Sequence, residues 1–197
     1  THAHSDHLSG LPAIIANFRP EELWLGTESQ AKGYEPVVEA ARQYGTTVKR
    51  YSTGDQIAFG TARLAVLNPP KGFVAATHRN EDSLVMQAFY GQTSALLTGD
   101  AERKTEGEIA GIAEKASLLK VAHHGSGSST TPELLKKTQP GFAVISAGYR
   151  NLYGHPRADV LARLRAAQVR TYRTDISGAV TFYLDGQQVT VSLPNRR

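Results

Sequence analysis

The chain contains no cysteine, a single tryptophan and a single methionine. It also has no apolar run near the ~18 residues a membrane-spanning helix needs. Each shortage excludes something. Without thiols there is no disulfide scaffold and no thiolate site, so any metal must be held by imidazole, carboxylate or water. Without a long apolar run, this stretch of chain has no spanning segment. Repeats, low-complexity tracts and interdomain linkers are absent too, and the polar opening residues do not form a secretory signal. Neither sign of charge dominates: 22 Lys and Arg against 18 Asp and Glu give a formal charge of +4, with pI ≈ 9.4. That excess mildly favours a polyanionic partner such as nucleic acid, but from charge alone a solvated basic surface ranks first.

What is present is a globular balance, 40% hydrophobic and 20% charged. The 197 residues suffice for a single domain, 1–197, with its own core. Short apolar runs at 23–25, 47–51, 56–59, 62–67, 83–90, 94–98, 118–122, 142–146 and 169–174 predict strands. Helical spacing predicts helices over 34–44, 102–115 and 157–168, with a further helix opening at Thr131-Pro132 as N-cap and first helical position. Gly45 stops the first of these. Asp185-Gly186, between strands 179–184 and 188–193, predicts a tight hairpin. Strands and helices interleave, which predicts α/β layers with sheets covered by helices.

The chemistry concentrates where the apolar runs stop. Three of the seven histidines lie in the first seven residues, in Thr1-His2-Ala3-His4-Ser5-Asp6-His7. His2 and His4, two apart, project to one side of an extended segment. A turn after them brings Asp6 and His7 towards the same point. Two adjacent ligand sets result, one from His2 and His4 and one from Asp6 and His7, of a chemistry that suits Zn²⁺, Mn²⁺ or Fe²⁺. An affinity tag would be bare histidines, whereas here Ala, Ser and Asp hold fixed places. Asp100 and the pair His123-His124 also end apolar strands. The Gly125 to Thr131 stretch reads either as a flexible loop or as a phosphate-receiving one.

The pattern H-x-H-x-D-H resembles the signature of the metallo-β-lactamase superfamily. With "LLTGD" (Leu96 to Asp100), "LLKVAHHGS" (Leu118 to Ser126), "NLYGHP" (Asn151 to Pro156) and "YRTDISGAV" (Tyr172 to Val180), nearly the whole chain is similar to the hydrolase domain of ComEC-type competence proteins. The resemblance implies an α/β fold, an αββα sandwich, here expected to lack its first strands. It implies two divalent metal ions, zinc or manganese, held by His2, His4, Asp6, His7, Asp100 and His124, with Asp100 bridging. His123 is placed beside the cleft, although the two adjacent histidines can exchange roles. Asp6, His123 and His155 are the implied catalytic residues, His155 as proton donor to a leaving oxygen. The superfamily's middle histidine is missing: Arg79 to Ser83 stands in its place, His78 is one position off, and Asn80, Asp82 or water is expected to substitute. Lys120, Arg150 and Arg157 flank these motifs and are expected either to meet phosphates or to be solvated. The implied activity is a nuclease acting on DNA, single-stranded, during uptake. It would work on the extracytoplasmic face of the membrane, beside the channel portion of a parent protein. A hydrolase of a lactam, lactone or small phosphoester, and a non-catalytic DNA-binding module, are the alternatives.

Overall fold

Residues 1–26, 33–73 and 79–194 are described by the computed structural model. The histidine-rich stretch runs into two helices, α1 (Ser5–Leu8) and α2 (Leu11–Phe18). Then come β1 (Glu22–Leu25), α3 (Glu35–Tyr44) and β2 (Thr47–Arg50). β1 and β2 pair in parallel as a sheet of their own. The spacing of Val37, Ala40 and Ala41 buries one face of α3, and Gly45 ends it in a left-handed turn.

The central sheet has seven strands in chain order: β3 (Gln56–Phe59), β4 (Ala62–Asn68), β5 (Val85–Tyr90), β6 (Thr93–Leu97), β7 (Leu118–Lys120), β8 (Phe142–Ile145) and β9 (Arg170–Arg173). β3 to β6 run antiparallel and β6 to β9 parallel. Helices α4 (Arg103–Ala110), α5 (Pro132–Thr138) and α6 (Ala158–Ala166) supply the crossovers between the parallel strands. A short α7 (Thr174–Ser177) leads to the hairpin of β10 (Thr181–Leu184) and β11 (Val189–Ser192).

Three apolar clusters define the layers. Leu96, Leu119 and Ile145 of the central sheet pack with Ile109, Leu134, Val160 and Leu164 of α4 to α6. On its other face Val66 and Met86 meet Trp24 of the small sheet and Tyr51 just after it. Leu8, Ile15 and Val37 then cover the small sheet from outside, against Leu23 and Val48. The order is helices, small sheet, large sheet, helices: an αββα sandwich. Each fully buried Leu or Ile adds ~1.5–3 kcal/mol to its cohesion.

Several boundaries differ from the sequence pattern, each for a local reason. The helix expected over 102–115 ends at Ala110, because the Gln87 side chain binds the carbonyls of Glu114 and Lys115 and the N–H of Glu114. The strand expected from Ser83 begins at Val85, since Ser83 is turned into the site described below. Asp185-Gly186 is not a two-residue turn: four residues separate Leu184 from Val189, with Asp185 Oδ1 accepting the N–H groups of Gln187 and Gln188. α7 occupies a stretch whose pattern is too short to declare it.

This topology fixes where chemistry can occur. Because β6, β7 and β8 are parallel, their C-terminal ends share one edge, and the N-terminal end of antiparallel β5 joins them. The loops at that edge carry Asp100, His123, His124, His155 and the segment Asn80 to Ser83.

Candidate metal centre

Asp100 stands at the middle of this edge, 2% exposed. Gly99 before it has φ +55°, and a Cβ there would come within 2.8 Å of the Ser83 side chain. Only glycine accommodates that approach. Ser83 Oγ accepts the Asp100 backbone N–H at 2.9 Å and faces His2 Nδ1 at 3.2 Å, so one buried hydroxyl sets two residues of the site. Asp100 Oδ2 lies 3.0 Å from His7 Nε2 and 3.4 Å from His124 Nε2. Lys120 Nζ donates to the Gly99 carbonyl at 2.7 Å and stands 3.6 Å from Asp100 Oδ1. Burial alone would raise the Asp100 carboxyl. The imidazoles of His124 and His7, then Lys120, outweigh it and hold the group well below the usual carboxylate range.

The N-terminal stretch reaches the same point from the other side. His4 is extended and opens α1, whose single turn presents Asp6 and His7. His2 is fully buried, its Nε2 2.9 Å from His4 Nδ1. Burial, then the neighbouring His7, pushes His2 down to about 3, so it is neutral at physiological pH. Asp6 is exposed, with Oδ2 3.4 Å from His124 Nε2 and 3.7 Å from His7 Nε2. Asp6, His7, Asp100 and His124 each offer a donor atom within 4.8 Å of the others.

His123 and His124 diverge because both are left-handed, φ +47° and +53°. Such backbone costs ~1–3 kcal/mol per residue and persists only where its surroundings fix it. His124 Nδ1 donates to the Ser146 carbonyl at 2.7 Å, which leaves Nε2 with a lone pair directed at the two aspartates. Buried His124 Nε2 and Asp100 Oδ1 have no hydrogen-bond partner among the described residues. His124 Nε2, 3.4 Å from Asp100 Oδ2, and the donors of Asp6 and His7 beside it describe a place for a cation, and they fit zinc or manganese. Asp100, more than any other group, raises the affinity of His124 for a proton in the same place.

His123 goes elsewhere. Its Nδ1 lies 3.0 Å from Glu102 Oε1, an oxygen that also accepts from Ser128 Oγ and Asn80 Nδ2. Glu102 was missed in the sequence, where it reads as an ordinary helix start. His155 stands with its ring 5.7 Å from that of His123. Its Nδ1 is buried without a partner, and burial followed by His123 lowers its proton affinity.

Other expectations are corrected. Lys120 is turned inward onto Asp100 and Gly99, not out towards a phosphate. Asp82 pairs with Arg79 at 3.1 Å, away from the donors, whereas Asn80 Oδ1 is buried and unpaired beside His123. At the helix-start end of the Gly125 to Thr131 stretch Glu106 takes the place a phosphate would occupy: its carboxylate accepts the N–H groups of Thr130 and Thr131 at 2.6 and 2.7 Å. Ser129 and Thr130 are 1% exposed, so the loop is not a loose one either. His78 lies outside the described residues.

The sequence pattern of the metallo-beta-lactamase superfamily matches residues 1–149. The chain belongs to that superfamily. As a superfamily member it has a fold that implies divalent metal ions and supports metal-dependent hydrolysis. It is 34% identical over 197 residues to ComE operon protein 3 of Bacillus subtilis (strain 168), covering 98% of this chain and 25% of that protein. It is 29% identical over 192 residues to Recombination protein 2 of Haemophilus influenzae, covering 96% and 22%. The chain thus spans about a quarter of the length of these curated relatives. Among solved structures it is similar to CmlA, a diiron β-hydroxylase from Streptomyces venezuelae (TM-score 0.61, 12% identity, 88% of this chain and 42% of that one). It is also similar to the metallo-β-lactamase fold protein YhfI from Bacillus subtilis (TM-score 0.53, 11% identity, 88% and 71%). Those two likenesses concern the fold alone, and a fold does not choose a reaction.

Proposed function

We propose that this chain is a metal-dependent phosphodiesterase that cleaves DNA, the hydrolase domain of a competence protein. Asp6, His7, Asp100 and His124 would hold one divalent ion, and His2, His4 and Asp100 a second. Bound ions of this kind lower the pKa of a water and neutralise charge on a phosphoryl oxygen.

The chain's own residues supply orientation and proton handling. Lys120 and Ser83 fix Asp100 from opposite sides, and the Ser146 carbonyl fixes His124. Asp6, exposed at the mouth, orients the attacking water. Glu102 fixes the ring of His123, which together with His155 holds a proton for the leaving oxygen. The observation that carries this reading is the buried Asp100 carboxylate, which stands with Asp6, His7 and His124 in one cluster of donor atoms.

DNA as substrate is supported by the relatives, one of which is named Competence protein ComA of Neisseria gonorrhoeae, 37% identical over 108 residues, 53% of this chain and 16% of that protein. On this reading the domain works on the extracytoplasmic face of the membrane, and the channel portion of the parent protein supplies the attachment. No helix among the described residues is long and apolar enough to cross a membrane.

The test is cleavage of single-stranded and double-stranded oligodeoxynucleotides by manganese- or zinc-loaded protein, with Asp100→Ala as control. Metal-dependent cleavage lost in that variant supports the reading. Hydrolysis of small esters or lactams without DNA cleavage replaces it with a small-molecule hydrolase, and cleavage unchanged in Asp100→Ala overturns the mechanism.

A further inference from the structure

Beside His155 lies a surface that the hydrolytic chemistry does not use. Tyr149, Leu152 and Tyr153 are 72%, 100% and 78% exposed, three large apolar side chains within five positions. Scattered exposed hydrophobes need no explanation, but a cluster at the rim of a site does. Nor is the segment loose. Asn151 Nδ2 donates to the carbonyls of Gly148 and His155 at 2.9 and 2.6 Å, and its Oδ1 accepts the His155 N–H at 3.0 Å. Beyond it Arg157 N–H donates to the Gly125 carbonyl at 2.8 Å. Pro156 sits so close to Gly125 that a Cβ there would lie 2.5 Å from it. The loop is a fixed scaffold that displays its rings to solvent.

The rings have the arrangement of a stacking surface. Tyr153 lies nearly parallel to the His155 imidazole, 17° between planes and 6.0 Å between centroids, and is largely exposed. The Arg150 guanidinium stands 5.2 Å from the centre of the Tyr149 ring. Aromatic faces interleaved with a cation beside a site for phosphodiesters match an unpaired nucleobase and its phosphate. A base inside a duplex has both faces covered and cannot use such a surface. A purely apolar protein partner would leave Arg150 without a counter-charge.

We propose that the loop from Gly148 to His155 binds single-stranded nucleic acid by stacking unpaired bases on Tyr153 and Tyr149, with Arg150 on the backbone. This leads the adjoining phosphodiester to His155 and the metal centre. It rests on the phosphodiesterase reading and adds to it a requirement for unpaired bases.

The test is fluorescence anisotropy of the metal-loaded protein with a nuclease-resistant phosphorothioate strand of about 12 thymidines. The same strand without bases and the matching duplex serve as comparisons. Affinity for the base-bearing strand should exceed both comparisons about tenfold or more, and Tyr149→Ala and Tyr153→Ala should each lower it by about fivefold or more. Tyr153→Phe, which keeps the ring, should restore it. Equal affinity for base-bearing and abasic strands, tighter binding of duplex, or unchanged affinity in both alanine variants overturns the proposal. Hydrolysis of bis(4-nitrophenyl) phosphate by the wild-type protein, a diester with no base, reports the phosphodiesterase reading separately. Activity there with a failed strand test removes only the stacking loop; a passed strand test with no hydrolysis removes only the enzyme.

Discussion

Asp100 Oδ2 and His7 Nε2 lie 3.0 Å apart although 93 positions separate them in the chain. Neither reaches the other by local structure. Asp100 arrives at the end of a buried parallel strand and His7 on the only turn of α1, and Ser83, from a third segment, binds the backbone of one and the neighbour of the other. The site is therefore a property of the whole sandwich, and substitutions that leave every donor in place should still damage it.

Gly99→Ala is the sharpest of these. The new methyl would meet Ser83 at 2.8 Å on a backbone of φ +55°, a strain of ~1–3 kcal/mol. The thermal midpoint should fall by about 2–4 °C per kcal/mol. Tightly bound metal, measured by plasma emission, should fall with it. Full metal content at an unchanged midpoint would show that Ser83 and Asp100 do not need this approach.

Ser83→Ala removes no proposed ligand but leaves the buried Asp100 N–H without its acceptor. That costs ~1–3 kcal/mol, and the loss of an orienting contact should weaken metal binding by about 10–100-fold. Isothermal titration of metal-depleted protein with manganese measures it. Affinity equal to that of the wild type would contradict the role given to this hydroxyl.

Glu102→Gln keeps the size of the side chain and removes its charge beside His123. We expect kcat on a DNA strand to fall by about 10–100-fold, with KM and metal content unchanged. A fall in metal content equal to the fall in kcat would mean that Glu102 acts through the metal centre and not through His123.

Much of this was legible in the residues. Apolar runs gave nine of the strands, and of the residues singled out in His2 to His7 the fold brings Asp6 and His7 together with Asp100. What was not legible depends on distant backbone. Glu102, Ser83 and Glu106 look like ordinary polar residues until the segments 21, 17 and 24 positions away arrive beside them. The left-handed backbone that sends His123 and His124 to different sides has no signature, since neither residue is glycine. Lys120 could be read as a phosphate contact only while the inward turn of its side chain was unknown.

Glu106 supplies a pH dependence away from the metal donors. It is fully buried, and burial raises its carboxyl above the ordinary 4.5 although the N–H groups of Thr131 and Thr130 pull the other way. A raised folded-state value means that the acid form is favoured by folding. Its contribution to stability is therefore complete below about pH 4.5 and is lost as pH rises through the folded-state value. Glu106→Gln cannot ionise. Urea unfolding of both proteins between about pH 4 and 8 should show wild-type stability declining relative to the variant as pH rises. A wild type that gains on the variant with rising pH would reverse the sign argued for this buried acid.

The most direct measurement is anomalous diffraction at the metal edge from crystals grown with manganese or zinc. The donors predict an ion in contact with Asp100, His7 and His124, and a second against His2 and His4. Density at those edges confined to the protein surface, with Asp100 Oδ1 and His124 Nε2 touching no ion, would contradict the proposed centre and the hydrolysis built on it.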